Sequence, residues 1–379
     1  MNMNQRALRF VNRGDKDFVT TLRERVDGYF KTRKIPTTAN GLMIFKTIFH
    51  LVCEFGLFAA ILLGDFSYET KYILWSVMGI FVATVAVNIG HDAIHGAYSK
   101  KKWVNQLLSL SFDINGASSY MWHWMHNTAH HTYTNVSDYD GDLELLPIIR
   151  LSPNQKIKWI HKYQHIFTFF FYGFATLFWV FFKDYKKFFE NKVGNYSGRK
   201  HTTWAMIRLF LFKFIYYGIF IALPLMTVYQ GHVGEFIISF LLMHFFAGFS
   251  LGIIFMLAHI VETTHFPVPS QEGSLENSWS VHQLYTTSDF ARKSRFAGFV
   301  TGGLNMQVEH HLFPNICSIH YRELAPIIKK TAHDFGVPYL EEPTFWSALG
   351  SHVRFLRDVG NIDAYVPTKP TIYPEAGVI

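Results

Sequence analysis

Apolar residues in this chain come in long unbroken blocks, not in stripes. Residues 42–63, 72–89, 165–182, 205–229 and 234–258 are such blocks. Each approaches or exceeds the roughly 18–20 residues that carry a helix across a bilayer. In lipid every backbone amide must find its partner within its own segment, so helix is the form these blocks take. The polar stretches between them differ in charge. Residues 64–71 and 230–235 are short and poor in lysine and arginine, whereas 31–34, 100–102 and 183–200 concentrate positive charge. Cationic loops stay on the cytoplasmic side, so both termini and all long loops are expected there.

The number of spans follows from where the histidines lie. They cluster at 91–95, 126–131 and 307–311. If these clusters build one site, they share one side of the membrane. Three blocks separate the second cluster from the third, and three crossings would put them on opposite sides. One block therefore does not cross. The shortest of the three, 165–182, has positive charge on both flanks and is predicted to lie at the interface under the site. The expected fold is an all-α integral membrane protein. Four transmembrane helices form two hairpins, and a cytosolic helical cap holds a histidine-rich dimetal site.

Before the first block, Phe18, Leu22, Val26 and Tyr29 alternate with basic residues at helical spacing. This stretch predicts an amphipathic helix, lying on the membrane surface or packed on the protein's own cytosolic part. No cleavable signal is expected, since the first 40 residues lack an apolar core. The organisation read from the chain is a cytosolic segment at 1–40, a membrane-embedded domain at 41–340, and a polar, proline-dotted cytosolic tail at 341–379. The net charge of +7 follows this topology, and no nucleic-acid-binding motif accompanies it. Cys53 and Cys317 form no metal or disulfide framework.

The histidine clusters carry the chemistry. In "HDAIH", His91 and His95 share one helical face and can reach one ion. With 20 histidines in 379 residues, about one such pair arises by chance, so alone it says little. "HNTAHH" is sharper: as an α-helix it aligns His126 with His130 and turns His131 toward a second ion nearby. "QVEHH" adds His310 and His311, with Gln307 one turn earlier. Seven imidazoles exceed one tetrahedral zinc site and lack its usual spacings. They suit two metals, and imidazole accepts iron, zinc, copper or nickel.

HDAIH, HNTAHH and QVEHH, in this order and interleaved with apolar hairpins, resemble the three histidine boxes of the membrane fatty acid desaturases. The likeness continues through "HHTYTNVSDYDGDLELLPIIRLSPNQ" (130–155) and "QVEHHLFPNI" (307–316), over roughly residues 20–340. Gln307 at the head of the third box is similar to the front-end subgroup. That subgroup inserts a double bond between an existing one and the carboxyl end, as linoleoyl-CoA delta-6-type enzymes do. The resemblance implies two non-haem iron ions, O2 as co-substrate, a fatty acyl substrate, coenzyme A as its expected carrier, and electrons from a small protein. The His-Pro-Gly-Gly mark of a fused cytochrome b5 domain does not occur in the chain. A separate ferredoxin or cytochrome b5 is therefore expected, in a bacterial inner membrane or the endoplasmic reticulum.

The resemblance also puts a further ligand at the end of the last span, where His259 stands, and His282 is a second candidate. Asp92, Asn127, Glu309, Asp140 and Asp142 are candidates to orient ligand imidazoles. The chemistry fits the residues. A saturated methylene has no proton that a side chain can remove, so an oxidising cofactor is needed. The same boxes would suit a lipid hydroxylase. A histidine-rich metal transporter would keep its ligands at the bilayer midplane, whereas these clusters lie outside the spans.

Overall fold

The computed structural model describes residues 8–11, 15–143, 148–190, 192–193, 196–197 and 201–361. Four helices are long and apolar enough to cross a membrane: Gly41–Leu63, Tyr68–Ile94, Thr203–Met226 and Val233–His259. Three begin on side-chain caps. Asn40 accepts from the Met43 amide, Ser67 from Thr70 and Thr202 from Ala205, satisfying donors that a helix start leaves free.

In chain order, α1 is Lys16–Arg33 and α2 the first long helix, Gly41–Leu63. α3 (Tyr68–Val85) runs through a π-turn at Ala86–Gly90 into α4 (His91–Ile94). Then come α5 (Lys102–Ile114) and α6 (Ser119–Trp122), which continues as a π-helix over His123–His130. α7 (Gln164–Tyr172), α8 (Ala175–Phe178) and α9 (Asp184–Glu190) follow. The third long helix comprises α10 (Thr203–Tyr217) and α11 (Leu223–Met226), and the fourth is α12 (Val233–His259). α13 (Trp279–Thr286), α14 (Arg295–Val300), α15 (Gln307–Leu312), α16 (Tyr321–Asp334) and α17 (Phe345–Val359) complete the chain.

Small residues set the membrane packing. A Cβ on Gly79 of α3 would fall 2.1 Å from the Met243 carbonyl oxygen of α12, so only glycine lets these helices touch. The fifth apolar block is not a straight span. Trp159–Tyr172 and Ala175–Glu190 meet at 69°. At the bend, a Cβ on Gly173 would sit 2.2 Å from the Phe245 ring, and one on Gly248 would sit 2.6 Å from the Tyr172 carbonyl. The far arm is pinned to α10: the Lys213 ammonium donates to Asp184 at 2.9 Å and to the Gly116 and Val180 carbonyls.

At the two ends the structure takes one of two expected placements for α1 and adds an element to the tail. α1 packs on the protein itself: Phe18, Leu22, Val26 and Phe30 are buried in one core with Leu324, Ile328 and Ala332 of α16. Those α16 residues recur every fourth position and offer a matching apolar stripe. Each buried side chain contributes about 1.5–3 kcal/mol, and the apolar face is not left for a membrane surface. The expected tail also contains a helix. α17 starts at a capping box of Thr344 and Ser347 and buries Ala348, Phe355, Leu356 and Val359. The remainder of that tail, 362–379, lies outside the described residues.

Candidate metal centre

Eight imidazoles converge. His91, His95, His126 and His310 form one grouping, with potential ligand atoms all within 4.8 Å of one another. His130, His259 and His311 form a second, and His131 joins His310 and His311 between them. The His131 ring lies 4.6 Å from that of His310 and 4.3 Å from that of His311. All seven box histidines and His259 therefore meet, from α4, the π-helix, α12 and α15.

The second box differs locally from the expected α-helix. Residues His123–His130 form a π-helix, and the His131 amide donates to the His126 carbonyl five residues back. This spacing brings His126 and His131 together, Nε2 to Nε2 at 3.2 Å. π-Turns cost helix stability and recur at functional sites; here the turn re-aims three imidazoles.

The donor set fits metal ions. Asp92 Oδ1 can only accept, so the proton on His91 sits on Nδ1, 3.4 Å away. The His91 Nε2 lone pair then faces His310 Nε2 at 3.1 Å. His130 Nδ1–H donates to Asp140 Oδ2 at 3.0 Å, again leaving Nε2 for a ligand. Among the described residues, Nε2 of His95 and of His311 are buried without a hydrogen-bond partner. Burial, and then mutual repulsion, push His95, His126, His131, His310 and His311 well below the ordinary imidazole value. The neutral ring is the ligand form. His130 goes the other way: burial opposes its charge, but Asp140 and Asp142 outweigh that and raise it.

Other expected residues fall in varied places. Asp92 is well placed, taking the Ser318 amide and hydroxyl and the Cys317 thiol on Oδ2. Gln307 Nε2 lies 2.8 Å from His259 Nε2, so it contacts a candidate ligand. His282 is placed differently from the expectation. Its Nε2 donates to the Thr134 carbonyl at 2.9 Å, and it joins no imidazole grouping. Asn127 bonds the Ile94 carbonyl and His123, not a clustered imidazole. Glu309 turns to Tyr339 and Asp289, and this buried pairing raises its carboxyl well above the usual range, burial being the larger cause.

A model of the fatty acid desaturase family matches residues 70–343. An acyl-lipid (8-3)-desaturase of Physcomitrium patens is 36% identical over 362 residues, 93% of this chain and 74% of that protein. An sn-1 linoleoyl-lipid 6-desaturase of Synechocystis sp. is 33% identical over 346 residues, 91% of this chain and 96% of that protein. The chain belongs to the fatty acid desaturase family. It is an oxidoreductase that desaturates fatty acyl chains, with a histidine cluster and four helices long and apolar enough to cross a membrane.

Two partners of the clustered imidazoles escaped the sequence reading. Gln283, fully buried on α13, accepts from His311 Nδ1 at 2.7 Å and from the Thr134 hydroxyl at 2.9 Å. The Tyr321 hydroxyl lies 3.3 Å from His310 Nδ1. Gln283 is the neighbour of His282, so that candidate stood one residue from a side chain that bonds a clustered imidazole.

Beside the imidazoles lies a cavity of about 530 Å³. Its walls are the aromatic run of the bent pair, from Phe170 to Phe182, and the Leu251–His259 end of α12 with Ile260 just past it. His130, His259 and Asp142 face it at the metal end. Size and apolar lining suit a chain of methylenes.

Proposed function

We propose that this desaturase is a front-end enzyme that holds two iron ions in its histidine groupings. It would introduce a cis double bond between an existing one and the carboxyl end of the acyl chain. The observation that carries this reading is the eight-imidazole cluster opening onto an apolar cavity. The reaction balances as –CH2–CH2– + O2 + 2 e− + 2 H+ → –CH=CH– + 2 H2O, the electrons coming from a ferredoxin or cytochrome b5. Bound there, the ions would supply the chemistry side chains lack, oxidation of an unactivated C–H bond by O2.

The chain's own residues would do the rest. Asp92, Asp140 and Gln283 hold the ring tautomers, the aromatic wall excludes water, and the cavity fixes which methylene is presented. Gln307 beside His259 supports the front-end assignment. Coenzyme A was the carrier expected from the sequence, but the named relatives are acyl-lipid and linoleoyl-lipid enzymes. We therefore favour a lipid-linked chain. The topology proposed is both termini and the metal site on the cytoplasmic side. Two long helices separate His131 from His310, so imidazoles that meet require the bent pair to return to the side it came from.

The test is purified protein in lipid nanodiscs with reduced carrier and O2. Linoleoyl phospholipid and linoleoyl-CoA are supplied separately, and products are read by mass spectrometry. A mass loss of two hydrogens on the carboxyl side, in the phospholipid arm, is expected. A gain of oxygen would make the protein a hydroxylase, and conversion of the thioester alone would overturn the carrier.

A further inference from the structure

We infer that Lys183 is the anchor for the oxygen-bearing carboxyl end of the acyl chain, and so sets the count of carbons to the reacting position. This rests on the front-end reading. Such an enzyme measures from the carboxyl end, so a polar grip must stand only a short run of methylenes from the metals.

Among the described residues lining the cavity, Lys183 is the one lysine or arginine. It stands where the bent pair passes from its aromatic run into α9. Its Nζ lies 3.5 Å from Asp142 Oδ1, and Asp142 Oδ2 is in turn 3.7 Å from Nδ1 of both His126 and His130. The ammonium is thus a single carboxylate away from two candidate ligands. Its hold on Asp142 is loose, since a charge-assisted contact closes to about 2.7–2.9 Å. An ammonium has three donors, and Asp142 engages at most one or two of them. The Trp179 ring, 5.6 Å from Nζ, keeps the side chain along the wall.

Other polar groups at this end are already committed. Asp140 accepts from His130, Asn135 and Asp142, and the Asn135 amide donates to three carbonyls. Among the described residues the other spare donor is the indole N–H of Trp122, buried in the same wall without an acceptor there and adjoining Trp179 at 5.0 Å between rings. A carbonyl oxygen placed against Lys183 leaves the rest of the chain to run past His130 and His259 into the apolar space along α12. An ester and a thioester both present that oxygen, and the two substrate arms given above separate them.

The experiment compares wild type with Lys183→Met and Lys183→Arg on acyl chains of two lengths, reading double-bond position, yield and iron content. Wild type placing the bond at a constant distance from the carboxyl end establishes the front-end reading by itself. If it does not, that reading fails, whatever Lys183 does. Given it, Lys183→Met is expected to keep its iron and lose about tenfold or more in yield. Its residual product should spread over neighbouring carbons, and Lys183→Arg should restore one position. Lys183→Leu, which likewise cannot donate, is read in the same way should the methionine variant not accumulate. Unchanged bond position in an iron-loaded Met or Leu variant overturns the inference, at full or at reduced yield.

Discussion

Replacing Gln283 by leucine tests how ligand geometry is held. Leucine nearly matches glutamine in size but cannot accept or donate. Three contacts disappear: those from His311 Nδ1 at 2.7 Å and the Thr134 hydroxyl at 2.9 Å, and that to the His131 carbonyl at 3.2 Å. Two of the groups keep another partner. Thr134 still donates to the His130 carbonyl at 2.8 Å, and the Trp279 indole still serves the His131 carbonyl at 2.9 Å. The fully buried His311 ring N–H is left with only the Thr134 hydroxyl, 3.3 Å away. A fully orphaned buried donor would cost about 1–3 kcal/mol, and this long contact recovers only part of that, while loss of a ligand's close hydrogen-bond partner weakens metal binding about 10–100-fold. Chelator competition should therefore show Gln283→Leu holding iron 10–100-fold more weakly. Turnover should fall in step, while Gln283→Glu, which keeps the acceptor, binds closer to wild type. Leucine-variant protein with wild-type affinity and turnover would refute this account of His311.

Other outcomes follow from the same contacts. His130→Ala or His311→Ala should abolish desaturation yet leave membrane-inserted protein, checked by fractionation and product analysis. Asp140→Asn removes the carboxylate that lifts His130 and puts an amide against its N–H, so iron affinity should fall by about 10–100-fold. Gly248→Val forces a side chain against the Tyr172 carbonyl, and overpacking of this kind costs about 1–3 kcal/mol; thermal unfolding should shift down and activity with it. His352, buried on α17, bonds the Ile260 carbonyl and Tyr172, and burial lowers it to about 4. A folded value below the unfolded 6.5 means that stability is present above pH 6.5 and drains as pH falls toward 4, by about 3 kcal/mol at the lower end. His352→Gln should flatten that part of the stability–pH curve.

That the box histidines and His259 would meet was legible, because so many imidazoles in so few places are not supplied by chance. The four long helices were legible because lipid demands continuous apolar sequence. What escaped depended on contacts between distant segments. Nothing in "HNTAHH" announces a π-turn, whose register places these imidazoles against His91, His310 and His311. α1 carries a face equally fit for lipid or for protein, and only α16 decides. α17 has its helical period, but prolines on either side drew attention to the tail's polarity. His282 and Gln283 differ by one helical step, about 100°. That step separates a backbone contact from a hold on His311.

The most direct test is the metal itself. Anomalous scattering at the iron edge from protein purified under reducing conditions, with iron counted per chain, should give two peaks. One should fall among His91, His95, His126 and His310, and the other near His130, His259 and His311. A single peak, none, or peaks away from these imidazoles would contradict the paired centre on which the proposed chemistry stands.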